Sequence, residues 1–226
     1  AVGASTPSAR MLNPLTQSDI DKQLKAMEYD AAMERVEPYI VDMTKELPEV
    51  KPLVSINSSC VCSVGNISAI CGEAKSRKTF LTSGLVASAM AIPYNKLNNF
   101  QIVDKNHNLN VLWVDTEQSK EHIQKVLFRI NLLSRMKLTS SLPHIMMQTL
   151  REESPKDRLQ ILRYAIEYQK PKLVVVDGVS DLLMNTNNLE ESEALVAQLL
   201  TLSTIYSCHI MCVLHTNPNS DKARGH

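Results

Sequence analysis

The sequence predicts a mixed α/β fold: a mostly parallel sheet with helices on both faces, preceded by a helical N-terminal segment. Three observations lead there. From Ile67 onward, short apolar runs alternate with helix-patterned segments, strand then helix, several times over. Two of the runs, residues 111–114 (VLWV) and 172–176 (KLVVV), lack polar alternation, as strands do when both faces are covered. The runs also end on glycine or aspartate, at Gly72, Asp115 and Asp177.

Taken in order, residues 1–16 (AVGASTPSARMLNPLT) are small, polar and proline-containing, and read as a flexible lead. Residues 17–54 read as a helical linker segment. Ser18 is placed to cap a helix, Ile20, Leu24, Met27 and Ala31 recur at helical spacing, and Pro38 divides the segment into two helices. The apolar stripe packs on its own domain or docks on a neighbouring subunit; the sequence leaves both open. Residues 55–226 read as the core domain. Within it, residues 68–71 (SAIC) form a strand closing on Gly72, and residues 78–91 carry a helix pattern that stops before Pro93. Residues 94–110, rich in Asn and Lys, read as an excursion. Ser119 caps a helix with Ile123, Val126, Leu127, Ile130 and Leu133 on one face. Residues 145–150 form a strand. Ser154-Pro155-Lys156-Asp157 is a compact helix start, with a serine cap, proline at the first helical position and an acid three after the cap. That helix runs to Gln169. After the 172–176 strand, Asn188 and Glu191 open a helix that reaches Tyr206, and residues 209–214 (HIMCVL) are the last strand.

Composition excludes several classes of protein. The chain has 226 residues, of which 44% are hydrophobic, so disorder of the whole is excluded. Its 24 Lys plus Arg balance 24 Asp plus Glu. A chain-wide basic field is therefore absent, and contact with nucleic acid needs a local patch or loops gathered about an oligomer axis. Aromatic residues are 4%, so contact through the phosphate backbone is expected rather than base-stacking platforms. The five cysteines, Cys60, Cys62, Cys71, Cys208 and Cys212, match neither a disulfide framework nor zinc spacing and read as buried, reduced thiols. No apolar run approaches a membrane span and the first residues do not form a signal peptide, so a cytoplasmic protein with no membrane partner is expected.

The chemistry concentrates at the strand ends. Gly72-Glu-Ala-Lys75-Ser76-Arg77-Lys78-Thr79-Phe80 comes after a strand and opens a helix, and matches the phosphate-loop (Walker A) template G-x-x-x-x-G-K-[ST] except that Arg77 replaces its second glycine. Gly72 permits the sharp turn, and backbone N–H groups of residues 75–79 face a phosphate at a helix N-terminus. Lys78 reaches the β- and γ-phosphates, and the Thr79 hydroxyl holds Mg²⁺. The run LVVVD ends on Asp177, the Walker B position, where an acid orders the water shell of Mg²⁺. In VLWVDTE, Glu117 lies just past a strand tip, placed to orient and deprotonate an attacking water; the other reading makes Asp115, Thr116 and Glu117 a helix cap. His215, Thr216 or Asn217 ends the strand beside Asp177's and is placed to sense the γ-phosphate. Lys222 and Arg224 sit in a glycine-containing basic stretch that suits phosphate contact, action across a subunit boundary, or a solvated loop.

Together these four pieces resemble the RecA-like P-loop ATPase superfamily, and within it the RepA-type hexameric replicative helicases and similar ATPases of mobile elements. The resemblance covers roughly residues 55–226. It implies a RecA-like core, incomplete at its C-terminal end, that binds ATP with Mg²⁺. Glu117 falls on the family's catalytic glutamate, Asp177 on its Walker B aspartate, and His215 and Ala223-Arg224-Gly225 on its strand end and following motif. The resemblance further implies six-membered rings that hydrolyse ATP at subunit junctions while moving on single-stranded DNA, in replication or mobilisation of a genetic element. Arg77 supports a different outcome, a degenerate nucleotide-binding scaffold with little or no turnover. A small-molecule P-loop kinase is disfavoured, because no Arg-rich lid lies between Asp177 and His215.

Overall fold

The computed structural model describes residues 16–47, 49–50, 52–57, 59–90, 100–102, 109–135 and 144–216. The chain divides into two compact units, Ala1–Pro48 and Glu49–His226.

In the first unit, helix α1 spans Gln17–Val36. It begins one residue ahead of Ser18, so Ser18 lies in its first turn instead of capping it, and the first helical bond runs from Ile20 N–H to Thr16 O at 3.0 Å. Pro38 ends the helix as its missing N–H requires, but the next element is a single 3-10 turn, Glu37–Tyr39, and not a second helix. Leu24 and Met27 of the apolar stripe are exposed.

The second unit opens with two short strands, β1 (Pro52–Ile56) and β2 (Ser59–Ser63). The antiparallel pair turns at Asn57, whose φ of 49° suits an Asn. Strand β1 straddles the boundary expected between residues 54 and 55. Next come β3 (Ile67–Gly72), α2 (Lys78–Met90) and β4 (Phe100–Ile102). The segment expected as an excursion thus contributes a strand, and β4 pairs antiparallel with β1 to complete a three-stranded sheet in the order β2-β1-β4. The chain continues through β5 (Val111–Asp115), α3 (Lys120–Ser134), β6 (Ile145–Thr149), α4 (Pro155–Gln169), β7 (Leu173–Asp177), a 3-10 turn (Val179–Leu182), α5 (Leu189–Ile205) and β8 (His209–His215). Strands β3, β8, β7, β5 and β6 form a five-stranded parallel sheet in that order.

The pleat explains the unbroken apolar runs. In β5, Val111 and Trp113 face a core built with α2, α3 and the small sheet, while Leu112 and Val114 face a second core built with α4 and α5. In β7, Leu173 and Val175 go to the first core, Val174 and Val176 to the second. Both expected caps on the second face form: Ser154 Oγ accepts the Asp157 N–H at 3.3 Å, and Asn188 Oδ1 the Glu191 N–H at 3.2 Å. Ser119 occupies the cap position of α3 without bonding a backbone N–H there; its hydroxyl turns to the Glu121 carboxylate and His122 Nδ1. Cysteines 62, 208 and 212 are buried, and burial pushes their thiols up to about 12, about 11 and about 12 respectively. Cys60 and Cys71 depart from the expectation and are exposed. Both lie on strands, β2 and β3, that end their sheets among the described residues. No helix among the described residues is long and apolar enough to cross a membrane.

Candidate functional site

Parallel pairing brings the carboxyl ends of four strands into register: Gly72 lies opposite His215, and Asp177 lies beside both Asp115 and Val213. Ligands of open parallel sheets collect at this edge. The loop from Gly72 to Lys78 crosses it. A Cβ on Gly72 would stand 2.8 Å from Ser76 Oγ, so a side chain there would push the Ser76 hydroxyl aside as the loop closes. Lys75 and Arg77 adopt left-handed conformations, with φ of 66° and 65°. The template's second glycine is a residue that supplies such a φ at no steric cost; this chain reaches the same backbone shape with arginine.

Lys78 is 7% exposed. Its ammonium donates to Gly72 O and Glu73 O, both at 2.8 Å, and lies 3.1 Å from His215 Nδ1. An ammonium has no lone pair, so His215 Nδ1 accepts, and Nε2 carries the ring proton. That Nε2 stands 3.4 Å from Glu117 Oε1. One helical residue on, the Thr79 hydroxyl donates to Asp177 Oδ2 at 2.9 Å. Burial raises the Asp177 carboxyl above its ordinary value, the Thr79 hydrogen bond opposes that, the Glu117 charge adds to it, and the Lys78 charge opposes it. Lys78, Thr79, Glu117, Asp177 and His215 therefore form one connected group. Thr216 contributes a backbone N–H to Gly72 O at 3.0 Å, and Asn217, Lys222 and Arg224 lie outside the described residues.

Asp115 and Thr116 do more than cap a helix. The Asp115 carboxylate is fully buried and accepts the N–H groups of Glu117 at 3.0 Å and Gln118 at 2.6 Å, plus Gln118 Nε2 at 3.0 Å. These bonds turn the chain so that Glu117 leaves the strand tip. Burial is the largest influence on Asp115 and pushes it up to about 6. Thr116 Oγ1 donates to Asp181 Oδ2 at 2.8 Å and accepts the Gly178 N–H at 3.0 Å, tying the β5 tip to the 3-10 turn after β7. Asp181 carried no signal in the sequence, because its partner lies 65 residues away.

A glycine-closed phosphate loop at the sheet's carboxyl edge, with its Thr bonded to a buried acid at the end of an inner strand, defines a P-loop ATPase core. A family model described as an AAA domain matches residues 39–221, and the chain belongs to that family. No curated protein matches the chain.

Proposed function

We propose that this chain is the ATP-hydrolysing core of a motor that acts on single-stranded nucleic acid, DNA in the first place, as a homo-oligomeric ring of the RepA-type helicase kind. The observation that carries the hydrolytic part is the linked group Thr79–Asp177 and Lys78–His215–Glu117, which sets a cation, a hydroxyl and two carboxylates at one strand edge. In this reading Lys78 leaves the loop carbonyls for the β- and γ-phosphates, and backbone N–H groups of residues 75–79 and Phe80 complete the cradle. The Thr79 hydroxyl and the Asp177 carboxylate are hard oxygen donors already 2.9 Å apart, a set that fits magnesium. When bound, magnesium neutralises phosphate charge. Glu117 orients the attacking water and takes its proton, and His215 Nε2–H holds the Glu117 carboxylate in place. Release of Lys78 from His215 Nδ1 then links arrival of phosphate to the orientation of Glu117. Lys222 and Arg224 serve as the nucleic-acid contact or as a finger reaching a neighbouring site, and six subunits close the ring.

The first test is a pair of variants. Lys78→Ala abolishes ATP binding and turnover. Glu117→Gln keeps ATP binding, measured by calorimetry, and lowers turnover by about a hundredfold or more. Turnover undiminished in Lys78→Ala sinks the phosphate-loop assignment, and normal hydrolysis in Glu117→Gln moves the base elsewhere. For the motor part, single-stranded DNA accelerates ATP turnover, and an unchanged rate with and without it argues against a nucleic-acid motor. The second reading, a degenerate scaffold, draws on Arg77 at a backbone shape that favours glycine. It expects nucleotide binding without turnover under every condition.

A further inference from the structure

A second cleft, of about 490 Å³, opens beside the phosphate loop between the starts of α2 and α3. Arg77, Phe80, Gln118, His122, Lys125 and Arg129 are among the residues that line it. Phe80 directly follows Thr79 and is 55% exposed, a large apolar ring left in water at the mouth of a polar site. The Arg129 guanidinium lies 5.3 Å from its ring centroid. Thr79 and Phe80 both border the cleft, so it lies within reach of the sugar and base of a nucleotide held at Lys78 and Thr79. Arg129 lies over one face of the ring, and the other is left for stacking, which every base can use.

The edge groups are more selective than the ring. Among the described residues no carboxylate lines the cleft, and neither Arg77 nor Lys125 has an ion-pair partner. Arg77, Lys125 and Arg129 can only donate hydrogen bonds. Gln118 spends its Nε2 on Asp115 Oδ2, which leaves its carbonyl as an acceptor, and the His122 ring adds one nitrogen that can accept; the three cationic side chains still make donors the larger share of the wall. Guanine presents O6 and N7 as adjacent acceptors that a guanidinium or ammonium takes together, whereas adenine sets an N6 donor beside N7. A donor-rich wall with a stacking ring therefore suits a base that carries a carbonyl.

We infer that this site is not adenine-selective and binds GTP at least as tightly as ATP, with Phe80 stacking on the base and the Arg77, Lys125 and Arg129 donors meeting its carbonyl edge. The inference rests on the reading of residues 72–79 as a triphosphate cradle. It is tested on the full chain with Mg²⁺ by calorimetric titration of ATP, GTP and inorganic tripolyphosphate, the last lacking a base. GTP is expected to bind as tightly as ATP or more so, and both about tenfold or more above tripolyphosphate. Phe80→Ala brings both nucleotides down toward tripolyphosphate, Arg129→Gln lowers GTP more than ATP, and Phe80→Trp keeps binding while GTP quenches the new indole and tripolyphosphate does not. ATP binding measurably tighter than GTP, or a Phe80→Ala variant that binds both nucleotides as before, overturns the inference alone. Failure of all three ligands to bind overturns it together with the cradle beneath it.

Discussion

Arg77 shows how one side chain can be wrong for a template and still fit the backbone. Its left-handed φ of 65° costs a non-glycine residue about 1–2 kcal/mol. Glycine would avoid that, but it loses roughly 0.5–1 kcal/mol more conformational freedom on folding. The two effects nearly cancel, so Arg77→Gly is expected to melt within about 1 kcal/mol of the native chain. Arg77→Val places a β-branched residue at the same φ and loses about 1–2 kcal/mol or more. Thermal midpoints of the three proteins decide it, and a large gain in Arg77→Gly would mean that the loop is strained beyond its dihedral. The motif letters revealed the mismatch at Arg77. They did not reveal that Lys75 shares its backbone conformation, because two left-handed residues in one loop are a property of the closed turn and not of either residue type.

At the scale of elements, helix α4 does more than cover the sheet. Arg158 in its first turn donates through Nε to Leu150 O at 2.9 Å, through Nη1 to Asp181 O at 3.0 Å and through Nη2 to Arg151 O at 2.9 Å. A planar fork is needed to reach three carbonyls at once, and a lysine cannot copy it. Arg158→Lys is expected to lose about 1–3 kcal/mol of stability, read from denaturant midpoints. Because Asp181 also holds Thr116, next to Glu117, the same change should slow ATP turnover more than it weakens nucleotide binding. Unchanged stability would show that the three bonds are replaced by water. Elements were legible in the sequence where their burial was complete. The inner strands β5 and β7 announce themselves as apolar runs, and α4 and α5 by the caps Ser154 and Asn188. The small sheet was not legible, because β2 reads SCVCS, half polar and half exposed, and β4 is three residues long. Its one local signal was Asn57 between two short apolar runs, a hairpin cue that the neighbouring cysteines obscured.

For the molecule as a whole, the buried acid at the β5 tip sets a pH dependence opposite in sign to the usual one. Asp115 titrates at about 6 in the folded chain against 3.8 unfolded. The folded state holds this proton more tightly, so the group's contribution to stability is complete below the unfolded value and is lost as pH rises through about 6. Asp115→Asn keeps an acceptor for the two backbone N–H groups and removes the titration. Relative to this variant, the native chain should lose about 2 kcal/mol between about pH 4 and about pH 6. Melting both proteins across that range tests it, and parallel curves would place the titration elsewhere. The candidate site was legible residue by residue, from Gly72, Lys78, Thr79, Glu117, Asp177 and His215. Its wiring was not, because the Lys78–His215 contact spans 137 residues and exists only once β3 and β8 lie side by side. That adjacency has a further consequence. Among the described residues β3 is hydrogen-bonded to β8 alone, whereas β7 lies between β8 and β5. Peeling β3 away breaks one ladder, while freeing β7 breaks two. Amide protons of β3 should therefore exchange with deuterated water ahead of those of β7. A triphosphate that touches both the Gly72 loop and the His215 end would act as a clasp, slowing that exchange for as long as it stays bound.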